Sequence, residues 1–217
     1  MNRKSITQEY YTLAVDANGN MPPMHKDESN AGTVVAGFMD LLLNGVIAEE
    51  KKKITVINEL PDELKHLTTL YEYLIEKPRT KEKMMNDFYY GKNTKELIAQ
   101  IGESLLADRV AVTGSGGIFG PKVTYIPEKT YKDEVIDYLK AAVTKDDGIT
   151  PHDVALIYIL KETKNLNQYF SKHESDELKA KLKELKKDPQ NKELAEMINY
   201  VSDMITVIIA CIFIHSV

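Results

Sequence analysis

The sequence predicts a mainly α-helical chain. It reads as one globular domain over residues 1–217, with a central apolar helix, amphipathic helices around it and a protruding β-hairpin at about 109–127. Three observations carry this reading. Apolar residues recur three and four apart through most of the chain, which places them on one face of a helix. The period falls to two only in short stretches, the signature of half-buried strands. The balance of 43% hydrophobic and 28% charged residues is that of an ordinary globular protein, and 217 residues suffice for a sizeable core.

The first helix covers residues 6–15, with Ile6, Tyr10 and Leu13 on one face and Ser5 or Thr7 as its cap. The turn formers DANGN end it, and a loop with Pro22 and Pro23 runs to about Ser29. The second helix is expected over 31–43, capped by Ser29 or Asn30, with Val35, Phe38, Met39, Leu42 and Leu43 forming a broad apolar face. Asn44-Gly45 stops it, because glycine accepts positive φ there. Residues 46–57 read as two short strands around a charged turn.

Helices follow over 62–76, 80–89 and 94–107, the first stopped by Pro78. Val110 and Val112 then alternate with small residues, and Lys122 to Ile126 return after the loop GSGGIFG, giving a hairpin with Ile118 and Phe119 at its tip. Helices at 131–143, after the cap pair Thr150-Pro151, at 174–188 and at 192–214 complete the chain. The run Met204 to Ile214 is too short for a membrane span of roughly 20 apolar residues and reads as a buried core helix.

The charge excludes some functions. A net charge of −5 gives no dominant basic footprint, so nucleic acid is not an expected partner. Cys211 is the only cysteine, and the start MNRKSITQEYY has no apolar stretch of signal-peptide length, so a cytoplasmic location is expected.

Catalytic and cofactor signatures do not form. In GSGGIFG, Gly114 and Gly116 match a dinucleotide fingerprint, but Phe119 occupies the place of its third small residue and Pro121 leads into a strand. Ser115 lacks a nucleophile elbow. The five histidines include no compact ligand pair, so neither a metal nor a cofactor is expected. Lys51 to Lys53 and the lysines at 179, 181, 183, 186 and 187 are interleaved with acids and read as solvated faces. Large apolar residues at a glycine-flanked tip suit insertion into a membrane or a partner, which singles out Ile118 and Phe119. Arg109, beside the hairpin, is the candidate arginine for a phosphate.

Order and spacing over nearly the whole chain resemble the Golgi phosphoprotein 3 (GPP34-like) family. The segments that carry the resemblance are ITQEYYTLAVDANGN, AGTVVAGFMDLLLNGVIA, IGESLLADRVAVT, DVALIYILKETKNLNQYF and the apolar C-terminal helix. The resemblance implies a helical core with an apolar hairpin. It also implies phosphatidylinositol 4-phosphate binding at a membrane and adaptor contacts to proteins. The family's headgroup pocket uses a tryptophan where this sequence has His25, an arginine where it has Val34, and two further arginines where it has Ala99 and Gly102. With those guanidinium forks replaced, phosphoinositide specificity does not transfer, and the chain resembles a divergent member of bacterial kind.

The expected function is therefore a noncatalytic peripheral membrane or adaptor protein on the cytoplasmic face of a membrane. Its phospholipid contacts would come from the loop around His25, Arg109 and the hairpin tip. The alternatives are a self-associating or protein-binding module without lipid, and an enzyme whose site is not readable in the sequence.

Overall fold

A computed structural model describes residues 3–89, 91–116, 122–144, 149–187 and 192–215. Helix α1 (Ile6–Ala14) opens on a capping box in which Ser5 and Gln8 bond each other's backbone N–H groups. Helix α2 (Lys26–Leu43) begins five residues before the expected start. Pro22 and Pro23 direct a 3-10 turn straight into it, and Asp27 and Glu28 complement the positive end of the helix dipole. Ser29 is consequently no cap. It lies buried inside α2, where its carbonyl accepts the Tyr10 hydroxyl and its Oγ accepts the Asn165 amide at 3.0 Å.

The strands β1 (Ile47–Glu50) and β2 (Lys53–Val56) pair antiparallel around Lys51 and Lys52, both at positive φ. Residues 62–67 form a 3-10 segment rather than the start of a long helix, so α3 is short (Thr68–Ile75). There the His66 ring bonds the Glu63 backbone carbonyl and Ser5 Oγ, which holds the tighter winding against α1. Helices α4 (Lys81–Tyr89) and α5 (Lys92–Ala107) lead to the second hairpin.

In that hairpin, β3 (Ala111–Gly116) pairs antiparallel with β4 (Lys122–Pro127), Thr113 opposite Tyr125. Its base is fixed to the body by Tyr125, whose ring lies on Gly102 of α5. Val112 and Val123 stay about half exposed further out. The tip residues Ile118 and Phe119 lie outside the described residues.

Helices α6 (Lys129–Thr144), α7 (Pro151–Glu162), α8 (Lys172–Leu185) and α9 (Lys192–His215) complete the chain. One apolar core runs from Ile6 to Ile205. The central helix is α2, buried on all sides from Ala31 to Leu41 between α1, α7 and α9. Leu43, expected on its apolar face, is 37% exposed beyond the packed segment. Among the described residues no helix is long and apolar enough to cross a membrane.

Candidate functional site

Two cavities of similar size flank α1. The first, of about 590 Å³, is lined by groups from the start of α1, the 3-10 segment, the C-terminal end of α5 and His152 of α7. It holds both titratable and nucleophilic side chains, so it is the place to look for chemistry. Its charges are, however, spent on one another. The Arg3 guanidinium forks onto Glu9 at 2.7 and 2.6 Å and reaches Asp153 at 2.7 Å, while lying 4.0 Å from the centre of the Tyr138 ring. His152 Nε2 meets Glu9 from the other side at 3.0 Å. Burial alone would raise the Glu9 pKa, but hydrogen bonds from His152 and Arg3 hold it below the usual carboxylate range. Lys4 pairs with Asp108 at 2.8 Å.

Ser5 and His66 in this cavity have the outline of a nucleophile and its base, with Oγ 2.9 Å from Nε2. Burial pushes the His66 pKa down to about 4, so the ring is neutral and accepts the serine proton. Yet Ser5 Oγ also accepts the Gln8 N–H as a helix cap. The N–H groups of Ile6 and Thr7, which could serve an oxyanion, both donate at 2.8 Å to the buried Asp40 carboxylate. Asp40 thus caps α1 from α2, and the dyad serves that capping.

The second cavity, of about 560 Å³, lies between the loop after α1 and the N-terminal half of α5. Its loop wall is rigid. Asp16 Oδ1 accepts the N–H groups of Asn18 and Asn20 at 2.8 and 3.0 Å, and Gly19 turns at φ +73°. A side chain on Gly19 would meet the Tyr125 carbonyl oxygen at 2.4 Å, and Tyr11 OH donates to that same carbonyl. Loop, α1 and hairpin base are therefore one unit.

The opposite wall carries the N-terminus of α5, where Gly91 at φ +134° is the cap and supplies no side-chain bond. With no side-chain cap, the first N–H groups and the helix dipole favour an anion at this end. Lys26 and Lys95 extend into the same cavity from α2 and α5, and neither has a salt-bridge partner among the described residues. Asp16 is the opposing charge on the wall.

Of the residues singled out from the sequence, His25 adjoins this cavity as the residue before Lys26. Its Nδ1 is buried with no hydrogen-bond partner among the described residues. Arg109 is exposed at the far end of α5, at φ +59°. Fourteen residues separate it from Lys95, which is about 21 Å along a helix axis. Ile118 and Phe119 fall outside the described residues. Met24, Lys26 and Lys95 were not singled out from the sequence, although Lys95 stands one turn before Ala99 and was findable by that spacing.

The profile of the Golgi phosphoprotein 3 (GPP34) family matches residues 6–201. The chain belongs to the GPP34 family. That family is Golgi-associated and generally one of noncatalytic adaptors. No curated protein matches the chain.

Two of the positions at which the sequence is expected to depart from the GPP34 headgroup residues can be checked for space. Val34 is fully buried, and a side chain on Gly102 would begin 2.1 Å from the Tyr125 ring. An arginine fits neither place in this chain. Of the residues that line the second cavity, Lys26 is next to His25 and Lys95 stands one helical turn before Ala99.

Proposed function

We propose that this GPP34 protein is a noncatalytic peripheral membrane adaptor that takes anionic phospholipid headgroups at the cavity between the loop after α1 and α5. The observation that carries this reading is the pairing of apolar and cationic groups at one mouth. Met24 is 84% exposed on the 3-10 turn, two residues before Lys26, which lines the cavity together with Lys95 of α5. An exposed methionine next to unpaired ammonium groups suits the boundary between acyl chains and phosphates. The hairpin base is joined to the same loop through Gly19 and Tyr125, which supports a shared role for loop and hairpin; the tip residues Ile118 and Phe119 lie outside the described residues.

The headgroup chemistry follows from the side chains. Lysines are point charges without the planar fork that reads one phosphate geometry. The cavity therefore favours anionic and phosphomonoester headgroups with little discrimination among phosphoinositide isomers. Co-sedimentation with vesicles of phosphatidylcholine, phosphatidylcholine with phosphatidylserine, and phosphatidylcholine with phosphatidylinositol 4-phosphate tests this. The wild-type chain is expected to follow both anionic compositions and to stay in solution with the neutral one. M24S and the double change I118S/F119S are expected to weaken binding, and K26E/K95E to lose it. Equal binding by K26E/K95E and wild type would overturn the cavity as the headgroup site. No binding to any vesicle would overturn the membrane reading and favour a protein-only adaptor using the same loop.

A further inference from the structure

A third concavity, of about 250 Å³, lies between α7, α8 and α9, and shares no lining residue with the two cavities beside α1. Its floor is apolar, made by Tyr158 of α7, Leu182 of α8 and Ile198 of α9. Its rim is cationic. Lys179 and Lys183 of α8 and Lys186, its C-cap residue, stand at i, i+4 and i+7, in one stripe with Leu182 at i+3, and Lys161 closes the rim from α7. Lys179 is paired with Asp176 at 3.0 Å, and Lys161 bonds Glu162 beside it while lying 4.7 Å from the centre of the Tyr158 ring. Lys183 and Lys186 are exposed with no salt-bridge partner among the described residues. The whole chain carries a net charge of −5, so a locally cationic groove runs against its average.

We propose that this groove docks an acidic helical segment of a partner protein that carries one apolar anchor residue. Charge complementarity selects the occupant. The three α8 lysines span seven residues, about 10 Å along the helix axis. Carboxylates at i, i+4 and i+7 of a partner helix have the same pitch, and an apolar residue between them sits over Tyr158, Leu182 and Ile198. The small volume takes one large side chain rather than an acyl chain pair. The lysines line a concave apolar floor rather than a protruding apolar edge, which favours a peptide over a bilayer.

The experiment is fluorescence anisotropy of the full chain with a labelled helical peptide bearing glutamates at i, i+4 and i+7 around one leucine. Three controls accompany it: the same peptide with that leucine changed to serine, one with the glutamates changed to lysines, and vesicles containing phosphatidylserine. Saturable binding of the glutamate peptide is expected, weakened at least tenfold by K183E/K186E and by the leucine change. It is expected to weaken as salt shortens the screening length below the roughly 10 Å of 0.1 M. K26E/K95E is expected to bind the peptide as wild type does, which separates failure of this proposal from failure of the lipid reading. The circular dichroism of K183E/K186E is expected to match that of wild type, because both positions are exposed. Equal peptide binding by K183E/K186E and wild type would overturn the proposal. So would indifference to the leucine, or a loss of vesicle binding in K183E/K186E without a loss of peptide binding.

Discussion

The two cavities beside α1 enclose about 590 and 560 Å³ and use charge in opposite ways. Around Arg3 and Glu9, a guanidinium, a lysine and His152 are bonded to carboxylates and His66 is bonded to Ser5, so the cavity is rich in chemistry but offers little of it to a ligand. Between the loop and α5, two lysines and an uncapped helix N-terminus face open space with one opposing aspartate. The proposed headgroup site is therefore distinguished by groups left without partners, not by the number of ionisable groups.

Four predictions sharpen the contrast, from the largest expected effect to the smallest. The first tests whether the polar cavity is structural. Asp40→Ala removes the acceptor of the Ile6 and Thr7 N–H groups and of the Thr7 hydroxyl, leaving three buried donors without a partner. A loss of about 3 kcal/mol in urea unfolding is expected, since each buried orphan costs roughly 1–3 kcal/mol before relaxation. Vesicle binding at a temperature where the variant is still folded should be unchanged; a selective loss of binding would break the division between the two cavities.

The second concerns pH. His66 is held near a pKa of about 4 by burial, below its ordinary value of 6.5, so the unfolded chain binds more protons between those two values. Its contribution is fully present above pH 6.5 and is lost as pH falls from there toward 4. At pH 4.5 the loss is about 2.5 kcal/mol by the linkage relation. Urea unfolding of wild type and His66→Gln at pH 7.5 and 4.5 measures it. The glutamine variant should lack this part of the slope while keeping the part due to Glu9, whose carboxylate is held low by His152 and Arg3. Parallel slopes in the two proteins would remove His66 as the titrating group.

The third joins stability to the binding wall. Gly19→Ala places a Cβ at φ +73° and 2.4 Å from the Tyr125 carbonyl, so the loop must move away from the hairpin base. The left-handed backbone alone costs about 1 kcal/mol, and the clash adds to it. Thermal unfolding should show the loss, and vesicle binding should weaken with it, because the loop leads into the 3-10 turn with Met24 and into Lys26 at the start of α2. Destabilisation without any effect on binding would mean that the loop and hairpin do not act as one surface.

The fourth is the smallest in stability and the most specific in function. Lys26→Glu with Lys95→Glu alters two exposed side chains and should change stability by less than about 0.5 kcal/mol. Each basic residue near an anionic surface contributes about 1 kcal/mol, so the double reversal should lower vesicle partition at least tenfold. Loss of binding with unchanged unfolding is the mirror image of the Asp40 result.

Much of the fold was legible in the sequence because periodicity and capping are local. The spacing of Ile6, Tyr10 and Leu13, the Thr150-Pro151 start of α7 and the period change at Val110 each report on neighbours a few residues away. The misread boundaries lie where a distant partner overrides local preference. The start of α2 is set by a proline-directed 3-10 turn, with Ser29 drawn to Tyr10 and Asn165. The segment 62–67 is held in 3-10 form beside the His66 bond to Ser5.

The candidate site divides along the same line. The family resemblance led to the expectation, at His25, Val34, Ala99 and Gly102, that the headgroup residues are replaced. Why arginine has no place at two of them, and where charge reappears, depends on the Tyr125 ring packing onto Gly102 and on the burial of Val34. The sequence by itself determined the helical class, the hairpin and the family. Only the tertiary structure decided which charges are paired with one another and which stand free, because pairing depends on through-space distances between residues up to 150 positions apart, such as Arg3 and Asp153.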